Sequence, residues 1–181
     1  MKKSIYVLSA LLAVLSVTFV ACIKNDDPVS GSSTLNLKLT DAPADLDSIF
    51  VDIMEVRVKT GKDTLTDTSS VNGWTSLQTK AGIYNLLKLQ NGVDTLLASG
   101  VLPTGILKEV RFILGTRNRV VDTLGVSYPL TIPSGGESGL KIKVNKNLNA
   151  TIETLLIDFD TDLSIKKEAG GYKLRPVLKI K

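Results

Sequence analysis

The chain has no histidine, a single cysteine among 181 residues, and few aromatics: one tryptophan, four tyrosines and four phenylalanines. Without histidine there is no imidazole general base, no Cys/His zinc site and no Ser-His-Asp or Cys-His pair. With only Cys22, no disulfide can form within the chain. Heptad runs and tandem repeats are missing. The formal net charge is a modest +4, and charges of both signs alternate along the chain. That leaves no basic run of the kind nucleic-acid binders need, so no nucleic-acid partner is expected.

What is present starts at the N-terminus. Lys2 and Lys3 precede an apolar run over residues 5–20, closed by the small Ala21 and by Cys22. The chain then turns polar at Lys24, Asn25, Asp26 and Asp27. A basic start, an apolar middle and a small residue at the cut site predict an export signal that is removed in the mature protein. The run also approaches the length of a short membrane span, so an uncleaved anchor helix is the alternative. The segment resembles the lipobox of bacterial lipoproteins, with Phe19 where an aliphatic residue is usual. The resemblance implies cleavage between Ala21 and Cys22 and acylation of Cys22. One acyl chain binds a membrane only marginally, at roughly 0.8 kcal/mol per buried methylene, whereas two or three hold durably. The expected location is therefore the cell envelope, lipid-anchored, at the outer membrane and in one variant the cell surface. The Asp26-Asp27 pair is similar to surface-export tags of Bacteroidetes lipoproteins.

This divides the chain into a helical signal segment over 1–21, a lipidated cysteine with a flexible tether over 22–33, and one β domain over 34–181. The tether reading rests on Asp26, Asp27, Pro28, Ser30, Gly31, Ser32 and Ser33, which cannot bury themselves. In residues 34–40 the leucines alternate with polar residues, as in a half-buried strand. Residues 49–59 form a longer strand. Ile49, Val51 and Ile53 share one phase and Met54, Val56 and Val58 the next, and the slip between Ile53 and Met54 predicts a bulge. Residues 61–72 read as a hairpin tip. Residues 82–89 are an apolar run, and 94–101 fit a strand or a short helix. Residues 106–114 read as a central strand apolar on both faces. A hairpin turns at Gly125, residues 133–136 are a loop, and Leu140, Ile142 and Val144 alternate with lysines in water. After a strand over 151–159, a closing hairpin turns at Gly170-Gly171, with Lys173, Arg175, Lys179 and Lys181 along one exposed edge. Nine or ten short strands with frequent turn signals argue an all-β sandwich or barrel.

Several phrases carry a further resemblance. Leu35-Asn36-Leu37-Lys38-Leu39-Thr40-Asp41-Ala42-Pro43-Ala44, Ala81-Gly82-Ile83-Tyr84-Asn85-Leu86-Leu87-Lys88-Leu89 and Leu156-Ile157-Asp158-Phe159-Asp160 are similar to the family called Domain of Unknown Function 4382. Arg111-Phe112-Ile113-Leu114-Gly115, Tyr128-Pro129-Leu130-Thr131 and Leu174-Arg175-Pro176-Val177 agree. The resemblance implies a secreted β-rich domain, similar to transthyretin-like or immunoglobulin-like sandwiches, often on lipoproteins. It implies no activity.

Candidate chemistry is sparse. Asp158, Asp160 and Asp162 offer oxygens at alternate positions, the minimum for a calcium site. The competing reading has Asp158 facing out of a strand, with Asp160 or Asp162 capping the next turn. Asp41, Asp45 and Asp47 form a second acidic stretch, and two carboxylates meeting at one end of the domain would suit a glycoside hydrolase. Ser138 sits in an incomplete nucleophile elbow, with Leu140 where the closing glycine belongs. Trp74, after the Asn72-Gly73 turn, is either a core plug or an exposed platform for stacking a sugar. The reading that follows is a lipid-anchored, non-catalytic binding, adhesion or assembly domain, with a glycan or envelope protein as partner. A calcium-dependent glycan-binding module and an envelope-polysaccharide hydrolase are the alternatives.

Overall fold

The structure is a computed structural model that describes residues 31–61, 73–132 and 139–181. The signal segment, Ala21, Cys22 and most of the tether lie outside the described residues. So do residues 62–72 and the 133–138 loop that holds Ser138. The domain is mostly β, with fourteen strands in two mixed sheets among the described residues. Both sheets are open and no barrel closes.

The smaller sheet has five strands. Strand β1 (Ser32–Asp41) lies in its middle, parallel to β11 (Ile152–Phe159) and antiparallel to β6 (Thr95–Pro103). Strands β4 (Gln78–Thr79) and β14 (Leu178–Ile180) form its edges. The alternation in β1 does what its pattern predicts: Leu35, Leu37 and Leu39 are fully buried. Each contributes about 1.5–3 kcal/mol through its removal from water. The tether ends earlier than residue 33, because Ser32 and Ser33 already belong to β1 and the Ser33 hydroxyl donates to the Thr151 carbonyl at 3.2 Å.

The larger sheet has nine strands and is built around β2 (Ser48–Gly61). Strand β2 pairs with β7 (Gly105–Leu114) and β8 (Arg119–Val121), and also with β3 (Trp74–Ser76) and β5 (Gly82–Asn85). Strand β10 (Leu140–Leu148) borders β7. On the other side β8 leads to β9 (Ser127–Thr131), β13 (Gly171–Leu174) and β12 (Ile165–Glu168). Inward residues of both sheets form one core, from Leu37, Leu97 and Ile157 on one side to Val56, Val110 and Phe112 on the other.

Several expectations are corrected. Strands number fourteen because short pieces such as β3 and β4 are split by single residues. The bulge lies where the phase slips, between Ile53 and Glu55, but Met54 is the residue expelled and is 49% exposed rather than sharing the face of Val56 and Val58. The second face of residues 106–114 is apolar only in part: a second register shift at Lys59/Thr60 swings Leu107 into the core with Val110, and the outer face carries Glu109, Arg111 and Ile113. The run 82–89 is β5 followed by a 3-10 turn (Leu86–Leu89), which the Asn85 side chain caps at Leu87 N. Residues 94–101 resolve as strand. The four closing cations do not share one edge. Lys173 and Arg175 face Glu168, whereas Lys179 and Lys181 reach Asp160 and Asp158 of the other sheet.

Candidate functional site

Because Val56, Val58, Val110, Phe112, Leu140 and Ile142 point inward, their neighbours in β2, β7 and β10 point away from the core. Strand register arranges these outward residues in two rows. Lys141, Arg111, Arg57 and Ser76 lie side by side across β10, β7, β2 and β3. One step along, Lys143, Glu109, Lys59 and Trp74 do the same. Trp74 is half-buried on this outer face, not a plug in the core. The Arg111 guanidinium reaches over β2 and lies 4.0 Å from the centre of the tryptophan ring. A guanidinium on an aromatic face is worth about 0.5–2 kcal/mol.

Besides Glu109 within the second row, Glu55 brings a carboxylate to this cluster. It accepts from Arg57 Nη2 at 2.6 Å and from the Ser76 hydroxyl. The bond from Arg57, followed by that from Ser76, holds its carboxyl below the usual glutamate range. Arg57 Nε and Arg111 Nε are buried and meet no hydrogen-bond partner. The surface thus combines cations and one aromatic ring with carboxylates able to accept hydrogen bonds from hydroxyls.

A second concavity, of about 240 Å³, lies at the end of β1 and β11 and is lined by Ala44, Leu46, Asp45, Asp162, Lys167 and Tyr172, among others. Here the two acidic stretches do come together. Asp41, 3% exposed, accepts from Thr161 N at 3.3 Å and from the Thr161 hydroxyl at 3.2 Å. Burial pushes its carboxyl up to about 6, against the pull of these bonds. A carboxyl sealed in this way anchors the segment that begins the helix α1 (Thr161–Ser164).

The three calcium candidates are not brought together. Asp158 does not face out into water: it is 4% exposed and meets Lys181 at 3.0 Å, because β14 closes over this edge. Asp160 caps α1 through Leu163 N at 3.2 Å and holds Lys179 at 2.5 Å, which lowers its pKa. Asp162 is exposed beside the pocket. Among the described residues no group of three His, Cys, Asp or Glu side chains is placed to hold a metal ion.

Sequence reasoning singled out Trp74 but missed Arg111, Arg57 and Glu55. Period-two spacing puts Arg57 and Lys59, or Arg111 and Glu109, on one face of each strand. Only the pairing of strands far apart in the chain joins them into a surface. The family model described as a domain of unknown function (DUF4382) matches residues 32–176. No curated protein and no solved structure gave a match.

Proposed function

The chain belongs to this family of domains of unknown function, and from that premise we propose that it is a lipid-anchored, non-catalytic binding module of the bacterial cell envelope. Two facing sheets, assigned here as a sandwich of the transthyretin-like or immunoglobulin-like kind, hold a glycan on the outer face around Trp74. The observation that carries this reading is the half-buried Trp74 backed by Arg111 on a mostly polar sheet face. A large rigid ring outside the core offers a surface on which a sugar ring can stack, and neighbouring charged groups can bond its hydroxyls. Affinity electrophoresis in polysaccharide gels tests it: wild type is retarded, and Trp74→Ala loses at least tenfold in affinity. Equal retardation of the two proteins would sink the assignment.

The anchor rests on the residues around Cys22. Growth with a clickable palmitate analogue labels the wild-type protein and leaves Cys22→Ser dark. Equal labelling, or none on either, would remove the anchor. Adding EDTA leaves glycan retardation unchanged, because Asp158 and Asp160 are held by lysines and Asp162 stands apart from them, exposed.

The meeting of the two acidic stretches favours hydrolysis as a second reading. It is weaker because the Asp41 carboxyl is enclosed and occupied by Thr161. Turnover of a polysaccharide that vanishes in Asp41→Asn would reverse this ranking. Assembly through a free strand edge has less support, since lysines mark the β10, β12 and β14 edges and the uncharged β4 edge is only two residues long.

A further inference from the structure

We propose that the ligand of this face is an acidic glycan, a saccharide polymer bearing carboxylate or sulfate groups. The inference rests on the glycan-binding reading and names its chemical class. It starts from the row Lys141, Arg111 and Arg57, three cations placed directly opposite one another on adjacent strands. Like charges in such register destabilise a sheet. Within the row Arg111 is held by the Trp74 ring and Arg57 by Glu55, whereas Lys141 is exposed and has no carboxylate partner among the described residues.

The protein does not neutralise the row. Glu55 pairs with Arg57 alone. Among the described residues no carboxylate pairs with Arg111, Lys141, Lys143 or Lys59, and the Nε atoms of both arginines lack acceptors. Lys141 and Lys143 are exposed and the Arg57 side chain is 41% exposed, so anionic oxygens arriving from outside can reach these cations and form charge-assisted hydrogen bonds. Five cations against Glu55 and Glu109 leave the described residues of this face with a formal excess of positive charge. At a strand spacing of about 4.8 Å, the three cations of the first row span about 10 Å, a ladder for acidic groups repeated along a chain.

Two features favour a glycan over other polyanions. Trp74 stands alone at the end of the second row, where it suits one sugar ring rather than a run of stacked bases. Glu55 and Glu109 sit within the cationic field. They accept hydrogen bonds from hydroxyls, as Glu55 already does from Ser76, and a saccharide supplies such hydroxyls where a duplex DNA backbone does not.

The experiment compares, by affinity electrophoresis and titration calorimetry, full-length protein extracted in detergent against dextran, polygalacturonate and dextran sulfate. Duplex DNA and vesicles containing phosphatidylglycerol serve as the other polyanions. The expected result is binding to polygalacturonate or dextran sulfate at least tenfold tighter than to dextran, weakened by salt. Lys141→Gln, an exposed change that leaves the fold alone, reduces it about threefold, and Arg111→Gln about tenfold. Dextran bound as tightly as the acidic polymers would overturn the acidic class and leave the glycan reading standing. No retention by any polysaccharide would overturn both. DNA or vesicles bound as tightly as the acidic glycans, with no loss in Trp74→Ala, would overturn the glycan assignment in favour of a general anion surface.

Discussion

Asp52 and Asp41 are hidden almost equally, at 2% and 3% exposure, yet they sit on opposite sides of the ordinary carboxylate range. Asp52 receives Arg117 Nε and Nη2 at 2.9 Å each and the Arg117 backbone N–H at 3.3 Å. The guanidinium bonds dominate and draw its pKa down despite burial. Asp41 has only neutral donors, the Thr161 hydroxyl and N–H, the Gln90 side chain and the Ala42 N–H, and burial outweighs them and raises its carboxyl to about 6. Depth alone therefore does not decide whether a buried carboxylate helps the fold. The charge of its donors does.

The contrast can be broken at either end, and the largest effect lies at Asp52. Asp52→Ala removes a charge-assisted fork and should destabilise by about 3 kcal/mol at pH 7, read from urea unfolding. The contribution of Asp52 is complete above its unfolded pKa near 3.8 and disappears as pH falls through its lower folded value. The opposite sign is expected at the other end. Asp41→Asn should stabilise by about 2 kcal/mol above pH 6, because the native state no longer carries an unpaired buried charge. That gain should shrink between pH 6 and pH 4 and vanish below, where Asp41 is protonated in both states. An unchanged gain at pH 4 would show that burial is not the cause.

Smaller changes sharpen the same comparison. A Cβ on Gly115 would overlap the Asp52 carboxylate, so Gly115→Ala should open the fork and lower stability by about 1–2 kcal/mol. Its acid limb should flatten as well. Thr161→Val takes a hydroxyl from Asp41. The Asp41 titration followed by carbon NMR should move upward by no more than about one unit.

Much of this fold can be read along the chain. Leu35, Leu37 and Leu39 announce β1 by alternation, and the phase slip after Ile53 marks the bulge. What alternation cannot say is which residue leaves the ladder, since Met54 and Val56 look alike until the partner strand is known. The candidate site is less legible still. Trp74 was visible as a lone ring, but its partner Arg111 lies on another strand that is joined to it only through β2. The bond between Thr161 and Asp41 spans 120 positions. The burial of Asp158 depends on β14, the last strand of the chain. Local pattern specifies faces, and distant pairing decides what those faces meet.

The placement of β1 has a consequence for how the protein is made. It is the first strand, but it lies between β6 and β11, and its Ser33 hydroxyl bonds a carbonyl 118 positions later. At ribosomal speeds of roughly 5–20 residues per second, that partner emerges many seconds after the strand that needs it. A nascent chain in this condition cannot close its smaller sheet early. The parallel pairing at the centre of that sheet is therefore among the last events of folding, however early β1 leaves the ribosome.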